Sequence, residues 1–234
     1  VCRGDARIGG SMEIYNIALD GPSGSGKSTV AKALSQKLGI LYLDTGAMYR
    51  ATAVKALRLG VDPLDERAVA AFLPKLDLDI RYKEGAQHTY LDGEDVSKAI
   101  REPQVSMAAS NISSLKCVRL KMVEMQREIA SKMSCVLDGR DIGSFVLPGA
   151  KYKFFITANV SVRAERRYKE LKEKGFDVDF NALLEEIEQR DYNDRTRAFS
   201  PLVKAEDAIE IDTSDMNVEG VLSKIMGYLG KSHE

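Results

Sequence analysis

A short glycine-rich segment constrains this chain more than anything else in it. Residues 21–29 read Gly-Pro-Ser-Gly-Ser-Gly-Lys-Ser-Thr, between an apolar run from Ile14 to Asp20 and a helix-like run from Lys27 to Leu38. Gly21, Gly24 and Gly26 permit tight turns and let main-chain N–H groups approach an anion closely. The following helix adds its N-terminal partial positive charge at the same spot. On this spacing and flanking context, Gly21, Ser23, Gly24, Ser25, Gly26, Lys27, Ser28 and Thr29 form a P-loop for ATP. Lys27 is expected to reach the β- and γ-phosphates, and the Ser28 hydroxyl to bind Mg²⁺.

The loop says nothing of what receives the phosphate, and bulk properties narrow the field only by exclusion. Formal net charge is −1, so no global field draws the chain to nucleic acid or membrane. No apolar run reaches the roughly 18 residues of a membrane span. With 234 residues, the chain can bury one sizeable core as a single domain. Residues 1–11 have neither an apolar stretch nor a periodicity, and are expected to be an expression remnant ahead of a native start at Met12. Cys2, Cys117 and Cys135 lack metal-ligand spacing. Cys135 lies in an apolar run and reads as a buried small hydrophobe. A cytoplasmic monomer is the expectation.

Strand-like and helix-like runs alternate, which argues an α/β fold with a mainly parallel sheet. Strands are expected at 14–20, 40–43, 134–138, 152–157 and 208–212. Helices are expected at 27–38, 46–59 and 218–229, the first two closed by Gly39 and Gly60. Residues 74–96 break the rhythm. Apolar and polar residues alternate there, with turn signals at Glu84-Gly85 and Asp92-Gly93, as in a small antiparallel sheet. Residues 161–175 hold Arg163, Arg166, Arg167, Lys169, Lys172 and Lys174. That run suits a solvated helix face, or, as preferred here, a mobile cover over ATP.

Three further clusters set arginine beside acids or hydroxyls. In Leu43-Asp44-Thr45-Gly46-Ala47-Met48-Tyr49-Arg50, Asp44 suits a helix N-cap, and Arg50 lies one turn in, where its donor fork suits a phosphate. In Val136-Leu137-Asp138-Gly139-Arg140-Asp141-Ile142-Gly143, an apolar strand ends in Asp138, either a Walker-B-like acid near Mg²⁺ or a turn acid. In Arg190-Asp191-Tyr192-Asn193-Asp194-Arg195-Thr196-Arg197, on a helix from about Asn181, Arg190, Asp194 and Arg197 are spaced to share one face. His88 and His233, read as lying in a turn and a tail, receive no role.

With these motifs quoted, the chain from about Met12 to Leu229 resembles the bacterial-type cytidylate kinases among the nucleoside monophosphate kinases. The resemblance implies a P-loop NTPase-type three-layer α/β fold with a parallel central sheet. It also implies an inserted antiparallel monophosphate-binding subdomain at about 62–105 and a helical lid at about 161–180. It further implies that Ser110, Arg119 and Asp141 read the cytosine edge. Thr45, Arg50, Arg140 and Arg197 would border or hold the CMP phosphate, and Arg190 and Asp194 would contact the sugar. Lys27, Arg140, Arg190 and Arg197 would carry the charge of transfer. The direction at Asp141 is sound: an ionised carboxylate only accepts, and cytosine offers an N4 amine donor where uracil offers an acceptor.

The reaction so implied is ATP with CMP or dCMP giving ADP with CDP or dCDP. A phosphate oxygen is already ionised near neutrality, so no general base is required. Another small-molecule P-loop kinase, for a different monophosphate or a shikimate-like metabolite, is the alternative. A GTPase-type switch is disfavoured by the lack of Asn-Lys-x-Asp and Asp-x-x-Gly motifs. A nucleic-acid binder is disfavoured by the charge balance and the absence of interleaved aromatics.

Overall fold

The computed structural model describes residues 14–231. In chain order its main elements are β1 (Asn16–Asp20), α1 (Lys27–Leu38), β2 (Leu41–Asp44), α2 (Thr45–Arg58), α3 (Glu66–Phe72), β3 (Leu78–Lys83), β4 (Ala86–Leu91) and β5 (Glu94–Asp95). These are followed by α4 (Pro103–Ile112), α5 (Lys116–Lys132), β6 (Cys135–Asp138), β7 (Tyr152–Thr157), α6 (Val160–Glu173), α7 (Phe180–Thr196), β8 (Ile209–Asp212) and α8 (Val218–Lys231). The expected remnant at 1–11, the start at Met12, Cys2 and His233 lie outside the described residues.

Five parallel strands run in the order β2-β6-β1-β7-β8. Because side chains alternate along a strand, β1 feeds both faces. Ala18 joins Leu43 and Leu137 in a core under α2, α4 and α5, whereas Ile17 and Leu19 join Val136, Phe154 and Ile156 in a core under α1 and α8. A strand covered on both sides reads as a continuous apolar run, which is why β1 was visible in the sequence. The result is the three-layer α/β arrangement. Asp20, Asp44 and Asp138 close three neighbouring strands, so their carboxylates gather at the carboxyl edge of the sheet, where open α/β sheets bind ligands.

The small antiparallel sheet β3-β4-β5 is built on two two-residue turns. Glu84 and Gly85 take φ 51° and 77°, and Asp92 and Gly93 take 51° and 80°. Paired positive φ values match the right-handed twist of a hairpin. His88 sits in β4, facing Asp95, and not in a turn. Gln87 anchors this sheet to the main one: its Oε1 accepts from Asp44 N at 2.8 Å. Helices α6 and α7 share a third, separate cluster of Ala164, Leu171, Leu183 and Ile187, with Tyr168 and Phe180 edge to face at 5.8 Å.

Two boundaries differ from expectation for local reasons. The second helix starts at Thr45 because Asp44 caps it, accepting from Ala47 N at 2.9 Å. The long helix stops at Thr196. Arg197 has ψ 138°, and Leu202 N bonds back to Asp194 O at 2.7 Å, so Arg197 flanks the face of Arg190 and Asp194 from outside the helix.

Candidate active site

The P-loop is packed tightly against β7 at its first glycine. A Cβ on Gly21, at φ 143°, would lie 1.9 Å from the Ile156 carbonyl oxygen, so β7 excludes any side chain there. Gly26 caps α1 at φ 86° without a side-chain hydrogen bond, leaving the first N–H groups of the helix to the loop. Lys27 is buried, and its Nζ donates to Pro22 O at 2.7 Å. Burial, then the charge of Arg140, lower its ammonium pKa to about 7. Ser28 Oγ donates to Asp138 Oδ2 at 2.5 Å, and the Tyr42 hydroxyl approaches the same oxygen at 3.3 Å.

The opposite wall is a lattice of arginine–carboxylate pairs. Asp44 takes Arg50 Nη2 at 2.9 Å and Arg101 Nη2 at 2.8 Å. Burial acts to raise the Asp44 pKa, but the two arginines outweigh it and bring it down to about 2. Gly46 lets Arg50 fold over the helix start, since a Cβ there would meet Arg50 Nη1 at 2.9 Å. Thr45 Oγ1 donates to the Asp138 carbonyl at 2.7 Å. Arg140 Nε pairs with Asp194 Oδ2 at 2.8 Å. Arg190 is half-buried, and burial followed by the charge of Arg140 lowers its pKa to about 10. Deeper in, Arg119 is 1% exposed, donates to Ser113 O and pairs with Asp141 Oδ2. Ser110 Oγ and Arg197 Nη2, both buried, make no hydrogen bond.

A cavity of about 770 Å³ joins the two walls. Every site residue expected from the sequence borders it except Gly21, whose part is to let the loop pass β7.

A family model described as cytidylate kinase matches residues 17–231. The chain belongs to the cytidylate kinase family. A cytidylate kinase from Caldicellulosiruptor bescii is 49% identical over 92% of this chain and 95% of its own length. One from Halalkalibacterium halodurans is 45% identical over 93% and 98%. Among solved structures, an uncharacterized protein from Eubacterium ventriosum shares the fold, at TM-score 0.51 and 18% identity over 94% of this chain and 99% of that one.

Within this cytidylate kinase framework the structure adds residues that the motifs did not single out. Asp20 is buried at the end of β1 and accepts from Ile142 N and Gly143 N, each at 2.7 Å, tying the P-loop strand to the segment that carries Arg140 and Asp141. Burial raises its pKa to about 7. An acid just before Gly21 was a signal that could have been read. Arg101, Thr213 and Asn217 also border the cavity, but come from segments of ordinary composition. The basic run at 161–175 divides by role. Arg163 is buried and holds Ser23 O at 3.0 Å and Asp191 Oδ2 at 2.6 Å, so it belongs to the P-loop's packing. Arg166 bonds Thr213 O at 2.6 Å, and Thr213 Oγ1 in turn bonds Ser25 O at 3.0 Å. Arg166, Arg167 and Lys174 line the cavity.

Proposed function

We propose that this protein transfers the γ-phosphoryl group of ATP to CMP and dCMP. The observation that carries the reading is the continuity of one cavity, from the P-loop at one end to Asp141, Arg119 and the unpartnered Ser110 hydroxyl at the other. Donor and acceptor nucleotides can therefore meet with their phosphates between Lys27 and Arg140.

The roles follow from chemistry at each position. The P-loop amides, Lys27 and Ser28 hold the ATP phosphates. Beyond them the cavity is bordered by Thr213, Met216, Asn217, Val218 and Val221, a partly apolar space suited to the adenosine. Arg50, Arg140 and Arg197, with Thr45, receive the CMP phosphate through charge-assisted hydrogen bonds. Arg190 and Asp194 meet the sugar. Asp141 accepts from the cytosine amine, with Ser110 and Arg119 beside it. Mg²⁺ suits the hydroxyl and carboxylate set of Ser28 and Asp138, since this ion takes one or two protein oxygens and completes its shell with phosphates and water. When bound it supplies charge neutralisation on the phosphates. The chain's own contribution is to align the two phosphates and to surround the transferring charge with Lys27, Arg140, Arg190 and Arg197. The acceptor oxygen carries its own negative charge, so no protein base is assigned.

The segment 62–105 acts in this reading as the monophosphate-binding insertion, and 161–180 as a lid that excludes water. Support for the lid is its separate small core and the arginines and lysine it turns toward the cavity. The reading includes a cytoplasmic monomer, with the free thiols Cys117 and Cys135 suited to a reducing compartment.

An ADP-release assay across all ribo- and deoxyribonucleoside monophosphates tests the reading. CMP and dCMP are expected to be the best acceptors; a higher kcat/KM for AMP, UMP or a non-nucleotide would overturn it.

A further inference from the structure

The carboxylate of Asp141 is used unevenly. Its Oδ2 accepts from Arg119 Nη2 and from Ser200 Oγ, the latter at 2.5 Å. Its Oδ1 is approached by Arg197 Nη2 at 3.8 Å, too far for a hydrogen bond. One oxygen is thus doubly occupied by fixed donors, while the other keeps its lone pairs.

Ser200 reaches this place at a cost in backbone conformation. Among the described residues, three that are not glycine have positive φ: Glu84, Asp92 and Ser200. The first two sit in two-residue hairpin turns that demand it. Ser200, at φ 50°, sits in no hairpin and stands directly before Pro201, a position normally driven to extended backbone with negative φ. Its carbonyl accepts from Arg197 Nε at 2.6 Å, and buried Leu202 is tied to Asp194 O, so the surrounding contacts hold the strained residue in place. Strain of this kind persists only where neighbours over-determine it, and it gathers at functional sites.

We propose that Ser200 is a positioning residue for acceptor choice. Its hydroxyl and Arg119 together saturate Oδ2 of Asp141, fix the carboxylate plane, and present Oδ1 as the acceptor for the exocyclic amine of a cytosine base. Ser200 does not border the cavity and acts through Asp141 alone. The inference rests on the cytidylate reading above and adds the device that orients its base-reading group. Without the hydroxyl, Oδ2 keeps one fixed donor and the carboxylate can turn away from the amine. Discrimination against uracil, which offers a carbonyl there, then weakens.

Two variants test this with CMP, UMP and ATP as probes. Ser200→Ala is expected to lower the CMP:UMP ratio of kcat/KM about tenfold, chiefly through KM for CMP, as when a hydrogen bond to a charged group is lost. KM for ATP should stay within about twofold. Ser200→Gly removes the same hydroxyl but relieves the positive φ, so it should lose the same discrimination while its Tm lies above that of Ser200→Ala. A purely structural role would make discrimination follow Tm from one variant to the other. The proposal is overturned if either variant keeps the wild-type CMP:UMP ratio. It is equally overturned if KM for ATP rises in step with that for CMP, or if discrimination recovers with Tm on going from Ser200→Ala to Ser200→Gly. A wild type without preference for CMP over UMP would instead bring down the functional reading, and this role with it.

Discussion

Lys27 holds its ammonium at a pKa of about 7 because burial and Arg140 both disfavour the charge. At pH 8 the amine in the protein alone is therefore mostly neutral. A bound polyphosphate favours the charged form and raises the pKa, so ATP binding at pH 8 should take up close to one proton. Calorimetric titration in buffers of different ionisation enthalpy would show it, and release of a proton would contradict the sign. Lys27→Ala should abolish this uptake and lower kcat by about 10²–10³-fold, while CMP affinity changes by less than about threefold. Near-normal turnover in that variant would remove the P-loop from the mechanism. At this scale the motifs of the sequence put Lys27, Ser28, Arg140 and Asp141 in the ligand crevice, and all four border the cavity. Arg101 and Thr213 were not legible, because each reaches the site through tertiary folding from a segment with no distinguishing pattern. Ser110 and Arg119 came only through family resemblance; their own helices, α4 and α5, look ordinary.

Among the elements, the β1–β7 pair sets the tightest limit. Gly21→Ala places a Cβ against the Ile156 carbonyl, a backbone atom that cannot swing aside, and does so at φ 143°. The two strands must part, so a loss of about 3 kcal/mol is expected in denaturant unfolding. A loss under roughly 0.5 kcal/mol, the range of an ordinary surface change, would show that the sheet tolerates the shift. The central strands were legible because burial on both faces leaves uninterrupted apolar runs. Glu84-Gly85 and Asp92-Gly93 were legible because only certain residues tolerate paired positive φ. What the pattern hid was where α7 ends. Arg197 continues the helical spacing in sequence, yet the return of Leu202 to Asp194 O takes precedence over another helical turn. Arg163 was hidden for a related reason: charge density looks the same whether a guanidinium is solvated or, as here, gripping Ser23 O and Asp191.

For the molecule as a whole, the two cores on the sheet faces are separate from the small α6–α7 cluster, whose helices reach the rest of the chain through polar contacts such as Arg163 with Ser23 O and Asp194 with Arg140. Four buried side chains hold that pair's own core, against far larger clusters on the sheet faces. Local opening is expected to be cheapest there. Amide exchange should be faster in 160–196 than in β1, β6 and β7, and should slow when ATP and CMP are both present; equal protection throughout would argue against a lid.

The arginine–carboxylate lattice has a consequence for how the protein responds to its medium. Two of the three arginines assigned to the CMP phosphate, Arg50 and Arg140, are already matched to an acid, Asp44 and Asp194. An arriving phosphate exchanges one anion for another and does not discharge a bare cationic surface, so few mobile ions need be released from the cleft. KM for CMP should then vary only gently with potassium chloride between low and physiological ionic strength, where exposed charges would be strongly screened. A cleft wired this way is buffered against the salt around it.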